Sequence, residues 1–309
     1  MLGHLFASPS RPKRVALLGA TGFVSGEIRK VLDQEKVECL AVGSRQVDLI
    51  DSAAAEQLSG MLHPQDVLIF VSGLTPDKGR DPATLMKNVR MAENVCSFLR
   101  KSGCAHVIYI SSDAVYDSRS PLLSETSSCE PSDLYALAHT TREKLLTEAC
   151  QKSGIPLALL RPCSIYGARD THNSYGPNRF VRSAMKEGRI SLFGHGEERR
   201  DHVFIEDVGE VILRCVGRRS AGVLNLASGH ARSFLDVAGI VAASMKRNVS
   251  IEELPRSSPV IHRHFDITGL IRAFPDFRPV PLDIGIARMV QEMGANPGTL
   301  TTPSFGGRG

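Results

Sequence analysis

The run Arg14-Val-Ala-Leu-Leu-Gly19-Ala-Thr-Gly22-Phe-Val-Ser25-Gly26 limits what this chain can fold into more than any other stretch. Its short apolar part lacks polar alternation and reads as a strand buried on both faces, as in a parallel sheet. It passes without a spacer into Gly19, Gly22 and Gly26, and then into a helical pattern from Glu27 to Leu32. Glycines let the backbone turn sharply and approach a ligand closely, and the free N–H groups at a helix start favour a pyrophosphate. A dinucleotide is the expected ligand. On these residues alone, an ordinary tight strand-to-helix turn is the alternative.

The same rhythm continues. Apolar strands at 37–43, 66–71, 106–112 and 156–162 alternate with helical patterns at 52–60, 82–100 and 133–152. That alternation predicts an α/β fold with a doubly wound parallel (Rossmann) sheet. From Ala168 the pattern changes to a polar, turn-rich loop, a helix ending at Glu187 and short strands, before 222–227 returns to the main sheet. The expected division is a flexible extension at 1–12 and a dinucleotide-binding domain at 13–167 with 201–229. A smaller C-terminal substrate domain takes 168–200 with 230–293, and 294–309 is a flexible tail.

Lys and Arg are mixed with Asp and Glu for a formal charge of +4, which shows no extended face for nucleic acid. Seven scattered cysteines without a CxxC pair fit a reducing cytosol better than a disulfide framework, and no metal site is expected. No apolar run reaches the ~20 residues of a membrane span, so a cytoplasmic location is expected.

Candidate site residues lie at the carboxyl ends of the strands. The second strand ends in Ser44-Arg45 rather than an acidic residue, and a guanidinium fork there suits a ribose 2′-phosphate. The expected cofactor is NAD(P)(H), with NADP(H) slightly favoured; the alternative for Arg45 is a solvated surface charge. The fourth strand ends in Ser111 and Ser112, followed by Asp113. Asp133 is a candidate N-cap for a helix that carries Tyr135 and His139 one turn apart, on one face.

Taken in order, GATGFVSG at 19–26, NVRMAENV at 88–95, ISSDAVYD at 110–117, PSDLYALAH at 131–139, LRPCSIYG at 160–167 and LFGHGEERRDHVFIEDV at 192–208 resemble the extended short-chain dehydrogenase/reductases. The resemblance is to their nucleotide-sugar epimerase/dehydratase branch, from about Lys13 to Glu292. It implies that Gly19, Thr21, Gly22, Phe23 and Val24 form the pyrophosphate turn, with Arg45 and Pro162 also at the cofactor. Ser112 would polarise the substrate oxygen and Tyr135 would act as the acid/base, with Asp113 beside them. Asn178 and Arg200 would contact a nucleotide-diphosphate sugar, although Arg200 has Glu197, Glu198 and Asp201 as alternative partners.

Three positions depart from the family pattern. The lysine expected four residues after the tyrosine is His139, the third glycine is Ser25, and an asparagine is replaced by Ser164. A dehydratase is disfavoured, because Ala114 stands where the glutamate of those enzymes would be. The resemblance implies a homodimer and an epimerase or ketoreductase that transfers hydride at a sugar carbon. The alternative is a weakly active or inactive dinucleotide-binding regulator, since a neutral histidine holds the tyrosine pKa down less than a lysine.

Overall fold

The computed structural model describes residues 1–117 and 119–295. They form two compact units, one of Met1–Cys163, Glu206–Leu226 and Asp266–Phe277, the other of Ser164–Ile205, Ala227–Phe265 and the residues from Arg278 onward. Placing 266–277 in the first unit departs from the sequence-based division.

In the first unit the strands are β1 (Gly3–His4), β2 (Arg14–Leu18), β3 (Glu38–Val42), β4 (Val67–Phe70), β5 (His106–Ile110), the short β6 (Leu122–Leu123), β7 (Leu157–Pro162) and, further along the chain, β12 (Ser220–Leu226). The helices α1 (Phe23–Gln34), α2 (Ala54–Met61), α3 (Pro82–Lys101), α4 (Leu134–Ser153), α6 (Ile205–Arg218) and α8 (Thr268–Ala273) accompany them. Seven strands form one sheet in the order β1-β12-β7-β5-β4-β2-β3, parallel except for β1. The chain leaves β2 toward β3 on one side and returns to β4 on the other. The order therefore reverses at β2, and the carboxyl end of β2 is the topological switch point where such sheets bind ligands.

The apolar runs were legible because these strands are buried on both faces: Val15, Ala16, Leu17 and Leu18 are fully buried, as are Leu68, Ile69 and Phe70. Leu18, Phe70, Val95, Phe98, Tyr109 and Leu146 share one continuous core between sheet and helices. Asp81 caps α3 by accepting from Thr84 N (2.7 Å), and Asp133 caps α4 by accepting from Ala136 N (2.8 Å).

Residues 1–12 are not the loose extension expected. Gly3 and His4 pair antiparallel with Ala221 and Ser220, Phe6 N donates to Arg218 O, and Ser10 N donates to Gly217 O. The His4 ring bonds the Ser220 hydroxyl and the Ala273 carbonyl, both at 2.8 Å. A two-residue strand has too few side chains to show alternation, and its partner lies more than 200 residues away. Of the expected tail, Gly294 and Ala295 complete the last helix, and 296–309 lie outside the described residues.

The second unit contains β8 (Ser164–Tyr166), β9 (Arg189–Phe193), β10 (Arg199–Arg200), β11 (His202–Phe204), β13 (Arg232–Ser233), β14 (Ser250–Leu254) and β15 (His264–Phe265), with α5 (Pro177–Glu187), α7 (Phe234–Ser244) and α9 (Leu282–Ala295). Here the strands pair in twos: β8 with β11 and β9 with β14 in parallel, β10 with β13 antiparallel. Phe180, Val181, Ile190, Leu192, Val237, Ile286 and Met289 are buried among them.

Candidate active site

The glycine turn sits at the switch point. Gly19 has φ +101°, and a Cβ there would stand 2.8 Å from Ser72 N, so the position requires glycine on both conformation and space. Gly19 N and Ala20 N both donate to Val42 O, which ties the turn to the end of β3. Gly22 is the N-cap of α1, its lack of a side chain leaves the first-turn N–H groups without a side-chain cap, and no acidic residue stands in that turn. Thr21 and Gly22 are exposed and Phe23 and Val24 partly so. Free amides, a positive helix end and the absence of a carboxylate suit a pyrophosphate. Ser25, in place of the third glycine, is buried and donates its hydroxyl to Gly19 O at 2.6 Å.

Around the turn, Arg45 is exposed just beyond β3 and forms no ion pair with a described residue. The loop after β4 is held by Asn88 of α3, which accepts from Leu74 N (2.8 Å) and donates to Leu74 O (3.0 Å). The sequence points to Asn88 only through the NVRMAENV likeness; its role here is to fix the loop against the turn.

Ser112 ends the segment after β5 and caps the short 3-10 turn Asp113–Val115, accepting from Ala114 N at 3.1 Å. Helix α4 packs against this turn, and for the Tyr135 phenol burial disfavours the ionised form, the Ser112 hydroxyl and the Arg142 charge favour it, and the Asp113 charge opposes it. Burial dominates and pushes the phenol up to about 12, so Tyr135 carries its proton at neutral pH. Ser112, Asp113, Tyr135 and His139 are thus brought together within the unit that carries the glycine turn.

His139 is more deeply placed than its spacing suggests. It is 8% exposed, its ring lies edge-on to Tyr135 with centroids 4.7 Å apart, and its Nδ1 is hydrogen-bonded to the Tyr109 hydroxyl at 2.7 Å. Burial, reinforced by the Arg142 charge, pushes its pKa down to about 3, so the imidazole is neutral. Tyr109 and Arg142 are the residues that sequence reasoning missed. Tyr109 reads as one more apolar residue of β5, and Arg142 as one more charge on a helix.

Pro162 lies buried at the end of β7, paired with Leu226. Just before it, Arg161 donates to both oxygens of Glu143 on α4 (2.9 and 2.6 Å) and to the Tyr116 hydroxyl (2.9 Å), which donates to Asn225 Oδ1 (2.7 Å).

In the second unit, Asn178 is 2% exposed; it accepts from Gly167 N and donates to Ile165 O, fastening α5 to β8 and the residue that follows it. Arg200 donates twice to Glu198 Oε1, at 2.9 and 2.7 Å. Tyr175 packs against Phe234, Phe180 and Phe193. Neither ring nitrogen of the buried His202 has a side-chain hydrogen-bond partner among the described residues, and burial pushes that imidazole down to about 4. Among the described residues no group of three His, Cys, Asp or Glu could hold a metal ion, and no helix is long and apolar enough to cross a membrane.

The sequence pattern of the "NAD dependent epimerase/dehydratase family" matches residues 15–227. The chain is 27% identical over 249 residues to an ADP-L-glycero-D-manno-heptose-6-epimerase of Thiobacillus denitrificans, covering 71% of this chain and 74% of that protein. It superposes on a GDP-L-fucose synthetase of Naegleria fowleri bound to NADP with a TM-score of 0.83 at 18% identity, over 95% of this chain and 97% of that one. A Thermus thermophilus UDP-glucose 4-epimerase in complex with NAD gives 0.81 at 18% identity, over 92% and 99%. At such identities the structural likeness concerns the fold.

Proposed function

Since this chain belongs to the NAD-dependent epimerase/dehydratase family, a family of enzymes, we propose that it is a nucleotide-sugar epimerase or ketoreductase with Tyr135 as its acid/base. The observation that carries the proposal is that α4, which bears Tyr135, packs against the 3-10 turn that Ser112 caps at the carboxyl end of β5, in the unit whose switch point holds the Gly19 turn. A nicotinamide supplies or accepts hydride at the sugar carbon when bound. The amides at Phe23 and Val24 would hold its pyrophosphate against the Gly19–Gly22 turn, which the Gly22 amide closes by donating to Gly19 O (3.3 Å), and Arg45 would hold a ribose 2′-phosphate. Ser112 would orient the oxygen on the reacting carbon, and Tyr135, protonated at neutral pH, would donate to it as the carbonyl is reduced. In the oxidative direction the phenolate must accept that proton.

A nucleoside-diphosphate sugar as substrate is supported by the relatives, which are named for ADP-, GDP- and UDP-linked sugars. Ala114 beside Asp113 leaves elimination of water without the second acid-base group, which favours epimerisation or reduction. Met86 on α3 and Leu137 on α4 are exposed apolar residues that fit a helix-mediated dimer, testable by light scattering.

The reading is tested by incubating the purified protein with NAD or NADPH and a panel of nucleotide sugars, following product by NMR. Tyr135→Phe is expected to lower kcat by about 10²–10⁴ while cofactor binding persists. Tight cofactor binding with no turnover on any sugar would favour the regulator instead, a reading to which the neutral, Tyr109-bonded His139 lends some support.

A further inference from the structure

Arg142 is the least expected side chain in the first unit. It is 1% exposed, yet no described carboxylate pairs with it. Its neighbour Glu143 is committed to Arg161. The guanidinium instead lies over two aromatic faces, 4.4 Å from the Phe70 ring centroid and 5.0 Å from that of Tyr109, and donates one N–H to the Ser72 carbonyl. Its Nε is buried without an acceptor among the described residues. Burying a cation with so little compensation is costly, and cation–π contacts offset only part of that cost.

The placement suggests what the charge is for. Tyr135, His139 and Arg142 fall at i, i+4 and i+7 of α4 and share one face, and side chains on a helix lean toward its N-terminus, here toward Tyr135. Arg142 touches the Tyr109 ring, Tyr109 is bonded to His139, and the His139 ring meets Tyr135 edge-on. The groups around this column can be named element by element. β4 contributes Phe70, the following loop Ser72 and Gly73, and α3 Asn88 and Cys96. β5 contributes Tyr109, and α4 itself Tyr135 and His139. The acids Asp113 and Asp133 act on the phenol from the other end of the column. None of these neighbours neutralises the guanidinium.

Resting on the reading of Tyr135 as acid/base, we propose that the buried guanidinium of Arg142, not the imidazole of His139, is the permanent positive charge beneath the phenol. It acts as a positioning residue that stabilises the phenolate. His139 then serves as a neutral spacer that links the Tyr109 hydroxyl to the Tyr135 ring. Burial pushes the Arg142 pKa down from its ordinary value, but a guanidinium starts so far above neutrality that it keeps its charge near pH 7, so the phenol responds to a fixed field rather than to a second titrating group.

The test reads the phenol directly, without cofactor or substrate. A more acidic analogue at the site, Tyr135→3,5-difluorotyrosine, brings the ionisation into an accessible range, where phenolate absorbance gives its midpoint. Arg142→Gln in that background is expected to raise the midpoint by one unit or more, a tenfold loss of phenolate at fixed pH and about 1.4 kcal/mol. Arg142→Lys and His139→Gln are expected to leave it within half a unit. A midpoint unmoved by Arg142→Gln, or raised by a unit in His139→Gln, overturns the proposal. If Arg142→Gln does not fold, nitrogen-15 NMR of the unaltered protein still decides. A neutral His139 imidazole at pH 7 together with an unshifted His139→Gln midpoint supports Arg142, and an imidazolium overturns it. Because no turnover is measured, absence of enzymatic activity would defeat the proposed function and leave this result standing.

Discussion

Removing the carboxylate of Glu143 should unsettle the helix that carries Tyr135. Glu143 and Arg161 are each 6% exposed and joined by two charge-assisted hydrogen bonds of 2.9 and 2.6 Å, linking α4 to β7. In Glu143→Ala the guanidinium loses both carboxylate bonds, keeps its donation to the Tyr116 hydroxyl and stays out of water. Breaking one side of a buried pair costs about 3–5 kcal/mol, because the surviving charge is uncompensated. At roughly 2–4 °C per kcal/mol for chains somewhat shorter than this, the thermal midpoint should fall by about 6–20 °C. The double variant Glu143→Leu with Arg161→Met removes both charges at similar volume and should recover most of that loss. Urea unfolding of Glu143→Leu, Arg161→Met and the double closes the cycle, which isolates the coupling energy. A single variant within about 1 kcal/mol of the parent, or a double as unstable as the worse single, would refute the view that the pair is dry and mutually dependent.

Three further outcomes follow from the site. Gly19→Ala places a methyl group 2.8 Å from Ser72 N at φ +101°, and should abolish dinucleotide binding, as measured by quenching or calorimetry, while costing about 1–3 kcal/mol of stability. Arg45→Asp should move cofactor preference from the 2′-phosphorylated dinucleotide toward NAD, read as the ratio of the two dissociation constants. Burial depresses His139 to about 3 and His106 and His202 to about 4, so below their unfolded value of about 6.5 the unfolded chain binds more protons. Stability therefore falls as pH drops from about 6.5 toward 3–4, by roughly 2 kcal/mol per histidine at pH 5, and a urea midpoint that is higher at pH 5 than at pH 7 would contradict this.

Much of the fold was legible because it rests on local signals. Val15–Leu18 and Val67–Phe70 are apolar without alternation, Asp81 and Asp133 are caps of the expected kind, and the Gly19–Gly22 spacing fits only a tight strand-to-helix turn. What escaped depends on partners distant in sequence. The pairing of Gly3–His4 with β12, the hydrogen bond from Tyr109 to His139 and the aromatic bed of Arg142 join segments that no spacing rule connects. The substitution of His139 for lysine could be read, but not that a buried cation, Arg142, stands one turn beyond the neutral imidazole. For Arg200 the sequence left ligand and Glu198 as rival partners; the structure shows the Glu198 contact. The positions in the substrate half were the least legible, since polar loops owe their side-chain directions to tertiary neighbours.

The serine in the glycine turn has a thermodynamic consequence. By tying its hydroxyl to the Gly19 carbonyl, Ser25 holds the first strand exit and the helix entry in register before any nucleotide arrives. A loop already arrested in its receiving shape loses little freedom when occupied, so more of the contact energy is expressed as affinity. Capture at this end of the sheet should then resemble insertion into a standing socket, with an on-rate limited by encounter rather than by refolding of the rim.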